Sequence, residues 1–521
     1  MTETGTPMAL PKRFGSNVFM QYVTQGASGL AALAITPLLL HRLGQSAFGI
    51  WILASGVVGY LELFELGFGG AAIKLIAEDA NVRPARAVST LNTAFFVLVP
   101  LGLLALGVGL LIAFFSPSLF SIPHGLQVQA VAVFALLAAG LAASIPGDSF
   151  GGALMGFQRY DLLNLANTGL IIVSAAVTVA VLLGHGGLVP LALATTIASI
   201  AFHGVRWWML RKVFPQARLG LRLVDLSRLR DTIQMSGWFF VNAVAVTVCS
   251  NADIVVVGIL FGARTTAIYA VGFKLAQVAT QALGSLIYVL IPHASATARN
   301  QGDGALEKVT IDGTRVGLFA SILPALLLMV LAYPLVHAWV GSGYGKSAQI
   351  VVVLTSALLA GSFISPLSMV LYGAGRVQIN ALIRTVEGCV NLTLSILLAH
   401  IYGPIGVALG TLGGVVLIRL PGTLIIGTRS IGLSLAPLLR RGILPHLLPS
   451  IACTAVLLLA IRSTFTKSIP GLILTGCIGV SVYALGYYFA GAPAHDRAAI
   501  RDGARRAIRA LRRTSRDSGK Q

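Results

Sequence analysis

The chain has 521 residues, 56% of them hydrophobic and 10% charged, with a formal net charge of +20. A soluble globule needs far more surface charge, so composition excludes one and predicts an all-α polytopic membrane protein with lipid as its solvent. The basic excess is spread over loops and a tail, as membrane topology alone would place it, so no nucleic-acid partner is expected.

A membrane pass needs roughly 20 apolar residues. Hydropathy predicts about 14 such helices, near 17–41, 48–73, 88–115, 126–155, 161–184, 187–210, 236–261, 266–292, 314–340, 348–373, 377–400, 405–427, 443–462 and 469–491. They group as an N-lobe of six spans (1–210), a cytoplasmic amphipathic linker (211–235), a C-lobe of six spans (236–430), spans 13 and 14 (431–491) and a basic tail (492–521). Of the 37 Lys and Arg residues, 31 fall at the two ends or in and beside every second gap, five in the alternate gaps, and Lys274 alone lies deep within a span. Because basic loops resist translocation, both termini are expected in the cytoplasm.

Span 1 follows Lys12 and Arg13 without a small-residue cleavage site and is expected to stay as a helix. It carries Asn17, Gln21 and Gln25 on one helical face, a stripe suited to lining a cavity or to bonding between helices. Span 2 holds Glu62 and Glu65; Glu65 is near enough to the inner end to pair with Lys74, whereas Glu62 needs water and is a candidate for proton or cation coupling. In the linker, Leu221, Val224, Leu226, Leu229 and Ile233 alternate with Arg218, Arg222, Arg228 and Arg230, as in an amphipathic helix on anionic phospholipids.

Asp253 in span 7 and Lys274 in span 8 lie at similar depth, either as a structural ion pair or as an ion-coupling carboxylate and a phosphate-binding cation. Gln277 and Gln281 continue the Lys274 stripe, and Arg384, Glu387 and Asn391 form another on span 11. Gly406, Gly410 and Gly414 make a small-residue packing face on span 12. The tail, with nine basic and three acidic residues after Gly491, reads as a membrane-surface helix or a disordered topogenic segment.

Three segments repeat at an offset of 217 to 218 residues: LGQSAFGIW from Leu43 with FGARTTAIY from Phe261, GFQRYDLLN from Gly156 with GAGRVQINA from Gly373, and HGGLVPLALATT from His185 with YGPIGVALGTLG from Tyr402. Such a duplication of six spans predicts two lobes of like orientation with a cleft between them. No Walker A, HExxH, CxxC or GxSxG pattern occurs, so no cofactor, metal site or catalytic residue is expected. An ATP-driven pump would need its motor from another polypeptide.

The segment from Pro37 to Lys74, with Leu43, Gly44, Phe48, Gly49, Trp51 and then Glu65, Leu66 and Gly67, resembles the polysaccharide transporter branch of the multidrug/oligosaccharidyl-lipid/polysaccharide (MOP) exporter superfamily. Asp253, Gly258, Gly262, Tyr269 and Lys274 stand in the order that the family shows. Glu65 departs from its usual aspartate. The resemblance implies a bacterial inner-membrane flippase that moves a polyprenyl-pyrophosphate-linked oligosaccharide by alternating access, for exopolysaccharide, capsule or O-antigen synthesis. It implies a cationic cleft in which Lys274 and Arg384 meet the pyrophosphate, with Arg42 a weaker candidate, an ion gradient as driving force, and polysaccharide polymerase machinery as a partner. The competing readings are an ion-coupled drug or metabolite antiporter of the same superfamily and a membrane polysaccharide polymerase or ligase. The latter would need a larger external loop than this chain provides.

Overall fold

The computed structural model describes residues 14–65, 68–79, 83–287, 290–462, 468–493 and 497, with backbone alone at 14–22, 68–72, 74, 226–243, 245, 248–250, 282–286 and 303. Every regular element among them is helical, because hydrocarbon offers no partner for a backbone N–H or C=O and a helix satisfies both internally. The first half comprises α1 (Phe14–Leu43), α2 (Gln45–Leu61), α3 (Phe68–Asp79), α4 (Pro84–Leu119), α5 (Gln127–Gly156), α6 (Tyr160–Leu183) and α7 (Leu188–Val213). The second comprises α8 (Leu226–Ile287), α9 (Leu290–Gln301), α10 (Leu306–Val330), α11 (Ala332–Val340), α12 (Gly345–Ser362), α13 (Ser365–Gly373), α14 (Val377–Tyr402) and α15 (Pro404–Ser430). A last pair, α16 (Leu435–Ile461) and α17 (Ile469–Gly491), packs beside α10.

Thirteen helices among the described residues are long and apolar enough to cross a membrane, and one of them crosses twice. Gly262, at φ 76°, breaks α8. The Tyr269 hydroxyl then reaches the Asp253 carboxylate at 2.7 Å, although a straight helix would hold residues sixteen apart roughly 24 Å from each other. The chain therefore turns back at Gly262, and the expectation of about 14 passes holds. Gly44 makes the same turn between α1 and α2 at φ 82°. The second aligned segment behaves likewise, with Gln158 at φ 57° and Gly375 at φ 79°. A left-handed conformation is easy for glycine and costs Gln158 about 1 kcal/mol or more, so its recurrence at equivalent sequence positions is a geometric counterpart of the sequence repeat.

Two expected elements differ. The second span does not run unbroken to residue 73: α2 ends at Leu61 and a tighter turn, Glu62–Glu65, follows. The linker is not one amphipathic helix from 211 to 235. Residues after Val213 run as extended chain with a short turn at Leu221–Leu223 until α8 begins at Leu226. Local bonds to α4 hold that chain: the Asn92 side chain accepts from the Gly220 N–H and donates to the Arg218 carbonyl, and the Thr93 hydroxyl accepts from the Asp225 N–H at 3.0 Å.

The halves meet along α2 and the first pass of α8, where small residues let the backbones approach. A Cβ on Gly49 would collide with the Ala263 carbonyl, one on Gly258 with Leu53, and one on Gly56 would come within 3.1 Å of Ile254. Near the Gly44–Gly262 end, Arg264 Nε donates to Gln45 Oε1 at 3.1 Å and Trp339 Nε1 to the Leu33 carbonyl at 2.8 Å. The seam is closed at that end of the molecule.

Candidate functional site

Each half encloses a polar cavity, and every lining residue of each comes from that half alone. The second half's cavity, about 450 Å³, lies between α8, α12, α13, α14 and α15. Its charged lining is Arg384, Arg419, Glu387 and Asp253, with Gln277, Gln281, Asn391 and Thr411 among the neutral polar groups.

Helix periodicity sets this lining on α14: Arg384, Glu387 and Asn391 share one face, and the last two are almost fully buried at 2% and 3% exposure. Burial is possible because α15 approaches without side chains in the way. A Cβ on Gly406 would strike the Leu398 carbonyl and one on Gly410 would strike Ser395, so the glycine face predicted on span 12 packs here against α14. Ser395 Oγ donates to the Val407 carbonyl at 3.0 Å.

Glu387 gathers the cations. Its Oε2 accepts from Arg384 Nη1 at 3.2 Å and lies 3.9 Å from Arg419 Nε. Arg419 ends a wide π-helical turn, Val415–Arg419, just before Pro421. Proline has no N–H, and its ring would clash with the carbonyl four residues earlier in regular helix; a widened turn relieves that and re-aims the side chains, as such turns often do at functional sites. Thr411, Val415 and Arg419 thereby share the cavity wall.

Asp253, also on the cavity wall, is 3% exposed. The Tyr269 hydroxyl donates to Oδ2 at 2.7 Å and the Thr411 hydroxyl approaches the same oxygen at 2.8 Å. The expected pairing of Asp253 with Lys274 is absent from this geometry. With the turn at Gly262, Lys274 sits three residues deeper than Asp253, and its Nζ donates to Gln277 Oε1 at 3.2 Å. Lys274 lies outside the cavity's lining, between Gln277 on the cavity wall and Val278, which meets Gly29 of α1 at the seam between halves.

The first half's cavity, about 440 Å³, lies between α2, α5 and α7. Glu62, Glu65 and Asp148 line it, with Trp51 and the hydroxyls of Ser55, Ser144, Thr195, Thr196 and Ser199. Asp148 accepts from Arg206 Nη1 at 2.7 Å, and Arg206 Nη2 donates to Asn167 Oδ1 at 2.8 Å. Among the described residues no three His, Cys, Asp or Glu side chains are grouped to hold a metal ion.

Seven predicted residues thus fall on cavity walls in the second half or stand beside them: Asp253, Gln277, Gln281, Arg384, Glu387 and Asn391 on the wall, Lys274 beside it. Glu62 and Glu65 line the other cavity. Gln25, half-buried on α1, lines neither. The side chains of Asn17, Gln21 and Lys74, and the tail beyond residue 497, lie outside the described residues. Sequence reasoning missed Arg419, Thr411, Asp148 and Trp51. The position of Arg419, fifteen residues into α15 and two before Pro421, was the available signal.

The family profile described as "Polysaccharide biosynthesis protein" matches residues 14–298. The chain is 20% identical over 372 residues to the "Uncharacterized membrane protein EpsK" of Bacillus subtilis (strain 168), covering 70% of this chain and 73% of that one. Among solved structures it resembles the lipid II flippase MurJ in an inward closed conformation, with TM-score 0.68, 17% identity, and coverage of 90% of this chain and 98% of that one. It also resembles an inward-facing multidrug resistance MATE family transporter, with TM-score 0.64, 16% identity, and coverage of 78% and 98%. With the profile spanning more than half of its length, the chain belongs to the polysaccharide biosynthesis protein family, as a multi-pass membrane protein that shares the fold of MurJ and of the MATE transporter.

Proposed function

We propose that this protein moves a polyprenyl-diphosphate-linked oligosaccharide from the cytoplasmic to the periplasmic leaflet of the bacterial inner membrane, with both termini in the cytoplasm. The Gly44–Gly262 end is then the periplasmic one. Two six-helix lobes, 1–210 and 236–430, alternate about the α2–α8 seam, and α16 and α17 stand outside that exchange.

The observation that carries this reading is the pair of guanidiniums, Arg384 and Arg419, converging on one buried carboxylate inside a membrane-embedded cavity. Planar N–H forks match phosphate oxygens in a way that an ammonium does not. A diphosphate carries more charge than Glu387 and bridges both arginines, while the polyprenyl chain stays in lipid. Lys274 beside the cavity serves the same head group as the lobes move. Asp253 is the ion-coupling group, since an incoming proton or sodium ion can displace the hydroxyl donors of Tyr269 and Thr411.

The test is transport by the full-length protein in proteoliposomes, using polyprenyl-diphosphate carrying a labelled oligosaccharide and reading the fraction of sugar exposed on the far leaflet. Wild type is expected to transfer it, and Arg384→Gln with Arg419→Gln to lose the activity at least tenfold. Unchanged transfer by the double variant would overturn the assignment.

A further inference from the structure

The two cavities are copies of one another. With offsets of 218 for α2, 217 for α5 and 216 for α7, whose first residue Leu188 corresponds to Pro404 of α15, eleven of the fourteen residues lining the first half's cavity correspond to residues lining the second half's. Leu137 and Leu141 correspond in this way to Leu354 and Leu358, and Thr195 to Thr411. The shared positions have diverged in charge. Glu62 and Asp148 stand where the second half has Thr280 and Ser365, and Asn167 and His203 stand where it has Arg384 and Arg419. Three carboxylates and no Lys or Arg line the first cavity, with Arg206 bonded to Asp148, whereas two arginines and two carboxylates line the second.

Resting on the flippase reading, we infer that the first half's cavity is the sugar-binding subsite of the transported lipid, and that it selects neutral or amino-bearing glycans over acidic ones. Size is the first reason. A void of about 440 Å³ falls within the range of small-molecule pockets and is far larger than one dehydrated cation. The lining is the second. Carboxylates accept hydrogen bonds from sugar hydroxyls, serine and threonine oxygens add further acceptors, and the indole of Trp51 offers a flat apolar face to the C–H side of a pyranose ring. Trp51 to Glu62 spans roughly 16 Å along α2, room for two sugar units.

Charge then decides the class. A uronic or similar acidic sugar would bring a carboxylate beside Glu62 and Glu65, where like charges repel, while Asp148 is held by Arg206. The diphosphate would be refused here for the same reason and is left to the arginines of the other half. A head group bridging both cavities would contact both halves, and its passage would follow their relative movement.

Two synthetic polyprenyl-diphosphate disaccharides, identical except for a hexose or a hexuronic acid at the terminal position, test this in proteoliposomes of the full chain. The neutral substrate is expected to move at least tenfold faster. Glu62→Gln should narrow that ratio severalfold, and Trp51→Ala should slow the neutral substrate while Trp51→Phe restores it. Equal rates for both substrates in wild type, or no effect of either Glu62→Gln or Trp51→Ala, would overturn the sugar subsite. So would competition at this cavity by the dye rhodamine 6G, relieved by Glu62→Gln, with no discrimination between glycans. If neither lipid moves while the protein is inserted, the flippase reading itself fails.

Discussion

Glu387 holds two guanidiniums at one depth in the membrane, and its own side chain is 3% exposed. Removing it leaves Arg384 and Arg419 facing each other without their shared anion, and breaking a buried pair from one side costs about 3 to 5 kcal/mol. Glu387→Ala is therefore expected to lower thermal stability in detergent by several degrees, whereas Arg419→Gln, which leaves Glu387 with Arg384, should lower it less. Differential scanning fluorimetry of the two variants checks the order. Asp253 behaves differently, because Asp253→Asn keeps the shape and an acceptor for the Tyr269 and Thr411 hydroxyls while removing the charge. That variant is expected to insert and fold normally yet lose the dependence of transport on an imposed proton or sodium gradient. A retained dependence in the flux assay would remove Asp253 from coupling.

At the scale of elements, the seam between α2 and α8 is set by glycine. A Cβ on Gly49 has nowhere to go because it meets the Ala263 carbonyl, a backbone atom that cannot rotate aside. Gly49→Leu should hold the Gly44–Gly262 end apart. The expected result is labelling of a cysteine placed at Gln45 by a membrane-impermeant maleimide, well above the level in the parent, with transport reduced at least tenfold. The widened turn at Val415–Arg419 is a second device of this kind. Pro421→Ala restores an N–H and permits regular helix there, so it is expected to rotate Arg419 away from Glu387 and to impair transport while stabilising the helix.

For the whole molecule, the proposed topology of fourteen passes, oriented by the charge pattern, puts both termini on one side. Alkaline phosphatase and fluorescent-protein fusions at the C-terminus should report the cytoplasm, and phosphatase activity there would contradict the assigned orientation. On the proposed alternating cycle, the closed seam near Gly44 and Gly262 and the two cavities would belong to one state. The head group is expected to enter from the cytoplasmic side in that state.

Hydropathy, the alternation of basic gaps and the repeated turn segments were legible in the chain because each is a property of neighbouring residues: a pass is a run of apolar side chains, and Gly44 and Gly262 announce their turns locally. Stripes such as Arg384, Glu387 and Asn391 were legible for the same reason, since helical spacing alone puts them on one face. Which stripes meet was decided by packing between helices far apart in sequence. Thr411 came to Asp253 across 158 residues, Arg419 was turned inward by a local widening before Pro421, and Lys274 was left outside the cavity's lining because the turn fell at Gly262 and set its depth three residues from that of its expected partner. Spacing along one helix fixes a face but not its neighbour, so the division of charge between two copied cavities became visible only once the helices were assembled.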